Sequence, residues 1–204
     1  MNKILAFAFA FDGAHTSANH ARAKAFIHAT RKHQPEARLV QLADDKTLTL
    51  EGVDECVRVK RQSYAQWYFD IMERFPYPEF LRIEYDVIVR HDPWEVFKHD
   101  FDIAIAKEHK GMMNNGVMFV RKKAFFTELR EVYLARTKRD NWNDIQAATQ
   151  MVIDDGKFRV RKLDPRLYNV MPERRGDYLP QARLLHFEGP VRKDWMIADF
   201  GAAA

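Results

Sequence analysis

Residues 80–97, FLRIEYDVIVRHDPWEVF, constrain the chain more than any other stretch. The segment begins as an apolar strand, carries two carboxylates among apolar neighbours, and ends in a turn signal at His91-Asp92-Pro93. Glu84 and Asp86 are two positions apart, so in a strand both side chains leave on the same face. A buried pair of like charges is costly unless something positive lies between them. The simplest occupant is a divalent cation, which in its harder forms prefers oxygen ligands. A carboxylate pair at the mouth of a strand also serves as a solvated edge, and this stretch alone leaves both readings open.

The 204 residues are 47% hydrophobic and include 15 Phe, 7 Tyr and 4 Trp, enough to build one substantial core. A single domain over residues 1–200 is expected, with 201–204 as a frayed tail. Disordered and fibrous classes are excluded by this composition. The 33 basic residues nearly balance the 29 acidic ones, leaving a net charge of +4. That bias suits an anionic ligand but is too scattered to mark a nucleic-acid binder. Cys56 is the only cysteine, so no intrachain disulfide can form. The apolar run after Lys3 is short and meets Asp12-Gly13, which reads as a first core strand rather than a leader. No segment has the length of a membrane span, and a cytoplasmic protein is expected.

Strand and helix signals alternate along the chain. Residues 3–11, 38–43 and 56–59 read as strands, and Ser17–His33 and Tyr64–Arg74 as helices stopped near Pro35 and Pro76. The segment 83–89 reads as one central strand, 101–106 as another, and Asn114-Asn115-Gly116 as a turn before an apolar strand. Helices are predicted over 123–136 and 144–153, and strands over 158–163 and 182–187. Residues 164–169 and 171–181 read as loops, the second irregular and mobile in character from its Pro, Arg and Gly content. Strand-helix-strand spacing of this kind predicts an α/β fold with a mostly parallel sheet.

Several motifs fall in an order that resembles the nucleotide-sugar glycosyltransferases of the GT-A fold, especially the small glycogenin-like and galactosyltransferase-like (family 8-type) members. Glu84-Tyr85-Asp86 resembles their D-x-D, with Glu in place of the first Asp, and Asp92-Pro93 through Phe97 resembles the D-P-x-x-L-F that follows. His186-Phe187-Glu188-Gly189 is similar to their H-F-x-G, and Lys193-Asp194-Trp195 to K-P-W with one extra residue before it. The resemblance implies a metal held by Glu84, Asp86 and His186, with Lys193 or Arg192 on the donor diphosphate. It implies that Asn114 or Asn115 faces the donor sugar, and that Asp144 and Gln146, set like the family's D-Q, lie near the reacting face. Tyr168-Asn169 resembles a Y-N segment. Asp12 would meet the base or ribose, though turn formation accounts for it equally, and Arg61 would lie near the phosphates.

The implied fold is a single Rossmann-like GT-A domain with a mixed, mostly parallel sheet flanked by helices. The implied activity is transfer of a sugar from a nucleoside-diphosphate sugar, a UDP-sugar first, to an unidentified hydroxyl acceptor. Two carboxylates, an imidazole and a diphosphate suit Mn2+, with Mg2+ also accommodated. A nucleotidyltransferase, an inactive GT-A-like protein and a basic nucleic-acid-binding domain are the alternatives. Arg159, Arg161, Lys162, Arg166, Arg174 and Arg175 could meet an anionic acceptor, such as a nucleic-acid backbone or a lipid phosphate, or be a solvated face.

Overall fold

The computed structural model describes residues 2–10, 16–107, 111–136 and 142–201. Asp12 and residues 202–204 lie outside the described residues. In chain order the strands are β1 (Ile4–Ala8), β2 (Arg38–Asp44), β3 (Glu55–Val59), β4 (Phe80–Glu84), β5 (Val87–Val89), β6 (Ile103–Lys107), β7 (Met113–Val120), β8 (Val160–Leu163) and β9 (Leu184–His186). The helices are α1 (Ser17–His33), α2 (Tyr64–Arg74), α3 (Ala124–Arg136), α4 (Trp142–Asp154), α5 (Pro165–Tyr168) and α6 (Pro190–Phe200).

The main sheet has the order β3-β2-β1-β4-β7-β6-β8. Only β7 runs against the rest, pairing antiparallel with β4 and β6, while the other pairings are parallel. Both faces are covered, so strands such as β1 and β7 are apolar and buried through most of their length. One core lies between the sheet and α1, where Phe7 and Phe26 meet at 4.7 Å between ring centroids. The other packs Trp67, Phe69, Phe125 and Ile145 beneath α2, α3 and α4.

The helix starts show why these segments form where they do. The side chain of Thr16 accepts from Asn19 N at the head of α1, and Ser63 accepts from Gln66 N at the head of α2. After Phe75, Pro76 cannot continue α2.

Four segments differ from the sequence expectation. The expected single strand over 83–89 is two: β4 ends at Glu84, Tyr85-Asp86 form a turn, and β5 pairs with β9 in a separate two-stranded sheet. The cause is loss of a neighbour, since the β1 register stops at Ala8 opposite Glu84. Asn114-Asn115-Gly116 lies inside β7 rather than in a turn before it, beside an irregularity between Ile105 and Lys107 of β6. Residues 165–168 form α5, because Asp164 accepts from Arg166 N and Pro165 stands at the helix start. The chain after Gly189 is α6: Gly189 takes a φ of 86°, open to glycine, and Pro190 supplies the first turn. The 171–181 segment, expected to be irregular, lacks helix or strand but is tied down. Arg175 and Tyr178 both bond Asp199 of α6, and Arg192 donates to Pro172 O.

Candidate metal centre

The strand order changes direction beside β1: β2 and β3 build outward on one side, and β4 on the other. Ligand clefts of open α/β sheets form outside the carboxyl ends of the strands at such a switch point. A cleft of about 190 Å³ opens there, lined by Ala8 and Ala10, by Tyr64 and Trp67 of α2, by Glu84, Tyr85 and Asp86, and by Lys193 of α6.

Three sequence-predicted ligands come together beside it: Glu84 and Asp86 line the cleft, and His186 lies against them. One ligand atom each of Glu84, Asp86 and His186 lies within 4.8 Å of the others. β4 delivers Glu84, the following turn Asp86, and β9 His186. Because β5 pairs antiparallel with β9, with Val87 opposite His186, the turn and the histidine are held side by side. His186 Nε2 is 3.5 Å from Asp86 Oδ1 and 3.7 Å from Glu84 Oε2. Ligands of one octahedral ion with bonds near 2.1 Å sit about 3 Å apart when adjacent and about 4.2 Å when opposite. The observed separations fall in that window.

The polar accounting fits a cation as well. Asp86 Oδ1 and His186 Nε2 are buried and have no hydrogen-bond partner, and buried polar atoms are rarely left so. His186 Nδ1 donates to Asn169 Oδ1 at 2.8 Å, while Asn169 Nδ2 donates to Lys107 O at 3.3 Å. This chain makes Nδ1 the donor to Asn169 and turns Nε2 towards the carboxylates. Burial opposes a charged imidazole, but Asp86 and Glu84 outweigh it and push His186 up to about 10. Burial also raises Asp86, and His186 and Lys193 pull it down to about 2. A divalent cation would take the place of the Nε2 proton that these carboxylates attract.

Lys193 Nζ bonds Asp86 Oδ2 at 2.9 Å and sits 5.6 Å from the centre of the Tyr85 ring. Burial lowers its pKa, and the Asp86 charge more than offsets this, so the net shift is upward. Arg192 turns elsewhere, donating to Pro172 O and Glu188 O. Asn114 is buried and its Oδ1 accepts from Gly116 N at 2.6 Å. Asn115 packs towards α4, donating through Nδ2 to Thr149 Oγ1 at 2.9 Å. Gln146 is buried and donates to Met113 O at 3.3 Å, while Asp144 is half-buried in the first turn of α4. Arg61 lies between β3 and α2, where its backbone N–H donates to Asp45 Oδ1.

Sequence reasoning singled out no role for Asn169, Tyr85 or Arg82. Asn169 was visible only as the second half of Tyr168-Asn169, and nothing local marks it as a partner for a histidine 17 residues on. Three of the six basic residues over 159–175 are ion-paired: Arg159 with Asp100 and Asp102, Arg166 with Asp164, and Arg175 with Asp199.

Sheet order, switch-point cleft and triad together define a GT-A-type fold of the kind seen in family 8 glycosyltransferases. Among solved structures, the chain is similar to the apo-form glycosyltransferase GlyE of Streptococcus pneumoniae TIGR4, with a TM-score of 0.70 and 15% identity over 100% of this chain and 61% of that one. It is also similar to galactosyltransferase LgtC in complex with donor and acceptor sugar analogs, with a TM-score of 0.65 and 12% identity over 98% of this chain and 97% of that one. The chain thus spans about three fifths of the GlyE chain, 61% by coverage. No protein-family model and no curated protein matches the sequence.

Proposed function

We propose that the protein is a metal-dependent glycosyltransferase that takes a sugar from a nucleoside-diphosphate sugar, UDP-linked in the first instance, and passes it to a hydroxyl acceptor. The observation that carries this reading is the cluster of Glu84, Asp86 and His186 at the switch-point cleft, in which the buried Asp86 Oδ1 and His186 Nε2 face each other without a hydrogen bond. Mn2+ suits the mixed nitrogen and oxygen donors best, with Mg2+ second. When bound, the ion supplies Lewis-acid stabilisation of the charge that develops on the departing diphosphate.

The chain's own residues do the remaining work. Glu84, Asp86 and His186 hold the ion. Lys193 exchanges Asp86 for a diphosphate oxygen and adds a charge-assisted hydrogen bond there. Asn114 or Asn115, with Gln146, orients the sugar, and in an inverting reaction Asp144 takes the acceptor proton. Arg192, already committed to two carbonyls, stands second to Lys193 for the phosphate contact. Among the described residues no helix is long and apolar enough to cross a membrane, and we assign the reaction to the cytoplasm.

The test is calorimetric titration of UDP with and without Mn2+, on the native protein and on Asp86→Ala. Binding should require Mn2+ and weaken by about 100-fold or more in the variant. UDP binding that ignores both the ion and the substitution would sink the assignment.

A further inference from the structure

Each carboxylate of the triad is divided between histidine and a basic side chain. Asp86 turns Oδ1 towards His186 and Oδ2 towards Lys193. Glu84 turns Oε2 towards His186 and Oε1 towards Arg82, whose Nη2 is 3.8 Å away. The two carboxylates therefore already face two cations besides the imidazole, and the cluster carries no net negative charge before any ion enters.

The two cations differ in freedom. The Lys193 side chain is 22% exposed at the cleft, whereas that of Arg82 is fully buried in the main sheet. Arg82 Nη1 donates to the backbone carbonyl of Asn115, and its guanidinium carbon lies 5.4 Å from the centre of the Tyr68 ring. A guanidinium cannot shed its proton, and here it has no room to swing away. Lys193 can leave Asp86 for an incoming anion; Arg82 cannot leave Glu84.

We propose that Arg82, as a permanent counter-charge beside Glu84, makes tight cation binding depend on an anionic diphosphate. The inference rests on the metal-and-nucleotide reading above. Cation and diphosphate then enter as a neutralising pair, and by linkage each strengthens the other's binding equally.

The test titrates Mn2+ alone and with saturating UDP, following the free-ion electron paramagnetic resonance signal, on the full chain and its variants. The native protein should bind Mn2+ roughly tenfold or more tightly with UDP than without. Arg82→Met and Arg82→Gln should bind Mn2+ alone about tenfold more tightly than the native protein, since a nearby like charge is gone. Their enhancement by UDP should shrink by the same factor. Arg82→Lys, which keeps the charge, should stay within about twofold of the native protein. A purely structural role predicts the opposite sign, because a disordered Glu84 would weaken the ion site.

Neutral variants that bind Mn2+ alone no more tightly than the native protein would overturn the inference, as would native Mn2+ affinity indifferent to UDP. Circular dichroism checks the fold; if Arg82→Met does not fold, Arg82→Gln carries the comparison because it keeps a donor for Asn115 O. A native protein that binds neither Mn2+ nor UDP defeats the functional reading itself, whereas intact binding indifferent to Arg82 defeats this inference alone.

Discussion

Gly116 owes its identity to the three side chains around it. A Cβ there would come within 2.7 Å of both Asn114 Oδ1 and His186 Cε1, and within 3.3 Å of Glu84 Oε2. The first two separations are too short for carbon, so Gly116→Ala must push His186 or Asn114 aside. Overpacking of this kind costs about 1–3 kcal/mol of stability. The stronger consequence is local, because His186 reaches its place through one hydrogen bond to Asn169 and has no slack towards β7. Gly116→Ala should weaken Mn2+ binding by about tenfold or more, comparable to losing an outer-shell partner. A urea melt and a Mn2+ titration read the two effects separately, and unchanged ion affinity would mean that the triad does not depend on this close approach. In the sequence, Asn-Asn-Gly carried turn propensity and a resemblance to a sugar-facing segment, but not the need for a missing side chain, which arises from residues 32 and 70 positions away.

The elements were legible where their signals are local. α1 and α2 stop where Pro35 and Pro76 stand, as the sequence indicated; the capping residues, Thr16 and Ser63, were not singled out, the α1 cap having been expected within residues 17–20. The break between β4 and β5 was not legible, because it depends on where β1 ends, and the start of α6 was hidden in a Gly-Pro pair that also suits a turn. The sheet edge at β8 shows how such non-local ties work. Asp102, just before β6, accepts from Arg159 N at 2.9 Å and Arg159 Nη2 at 3.1 Å, fastening the entry to β8. Burial raises the Asp102 pKa, but the Arg159 hydrogen bonds and charge outweigh it, and the net shift is below the ordinary 3.8. The folded protein therefore binds this proton less readily than the unfolded chain. The resulting stability is fully present above the unfolded pKa of 3.8 and is lost as pH falls through the lower folded value. Asp102→Asn should cost about 2 kcal/mol at pH 7 and much less under acid conditions. Urea unfolding at pH 7 and near pH 3 measures this, and an equal cost at both would show that the charge contributes nothing.

Across the whole molecule, the proposed ion site joins parts that are otherwise separately paired. Glu84 ends a strand of the seven-stranded sheet, His186 belongs to the two-stranded sheet, and Lys193 comes from α6, which packs on α1. An ion and diphosphate bound there would bridge both sheets and a helix, so unfolding any one of them would require releasing the pair. The sequence showed the ligands and their order; which sheet each belongs to follows only from strand pairing. Ligand present at about 100 times its dissociation constant adds about 2.7 kcal/mol to the folded state. For a chain of this size each kcal/mol raises the melting temperature by about 2–4 °C, so Mn2+ with UDP should raise it by about 5–10 °C. Mn2+ alone or UDP alone should move it much less, because in the proposed linkage each binds tightly only with the other. Asp86→Ala should abolish the joint shift; because it also removes the partner of Lys193, its own melting temperature without ligand is the baseline for that comparison. A shift produced equally by UDP without the ion, or one that survives Asp86→Ala, would place the nucleotide away from the triad and separate the two sheets' ends from the binding event.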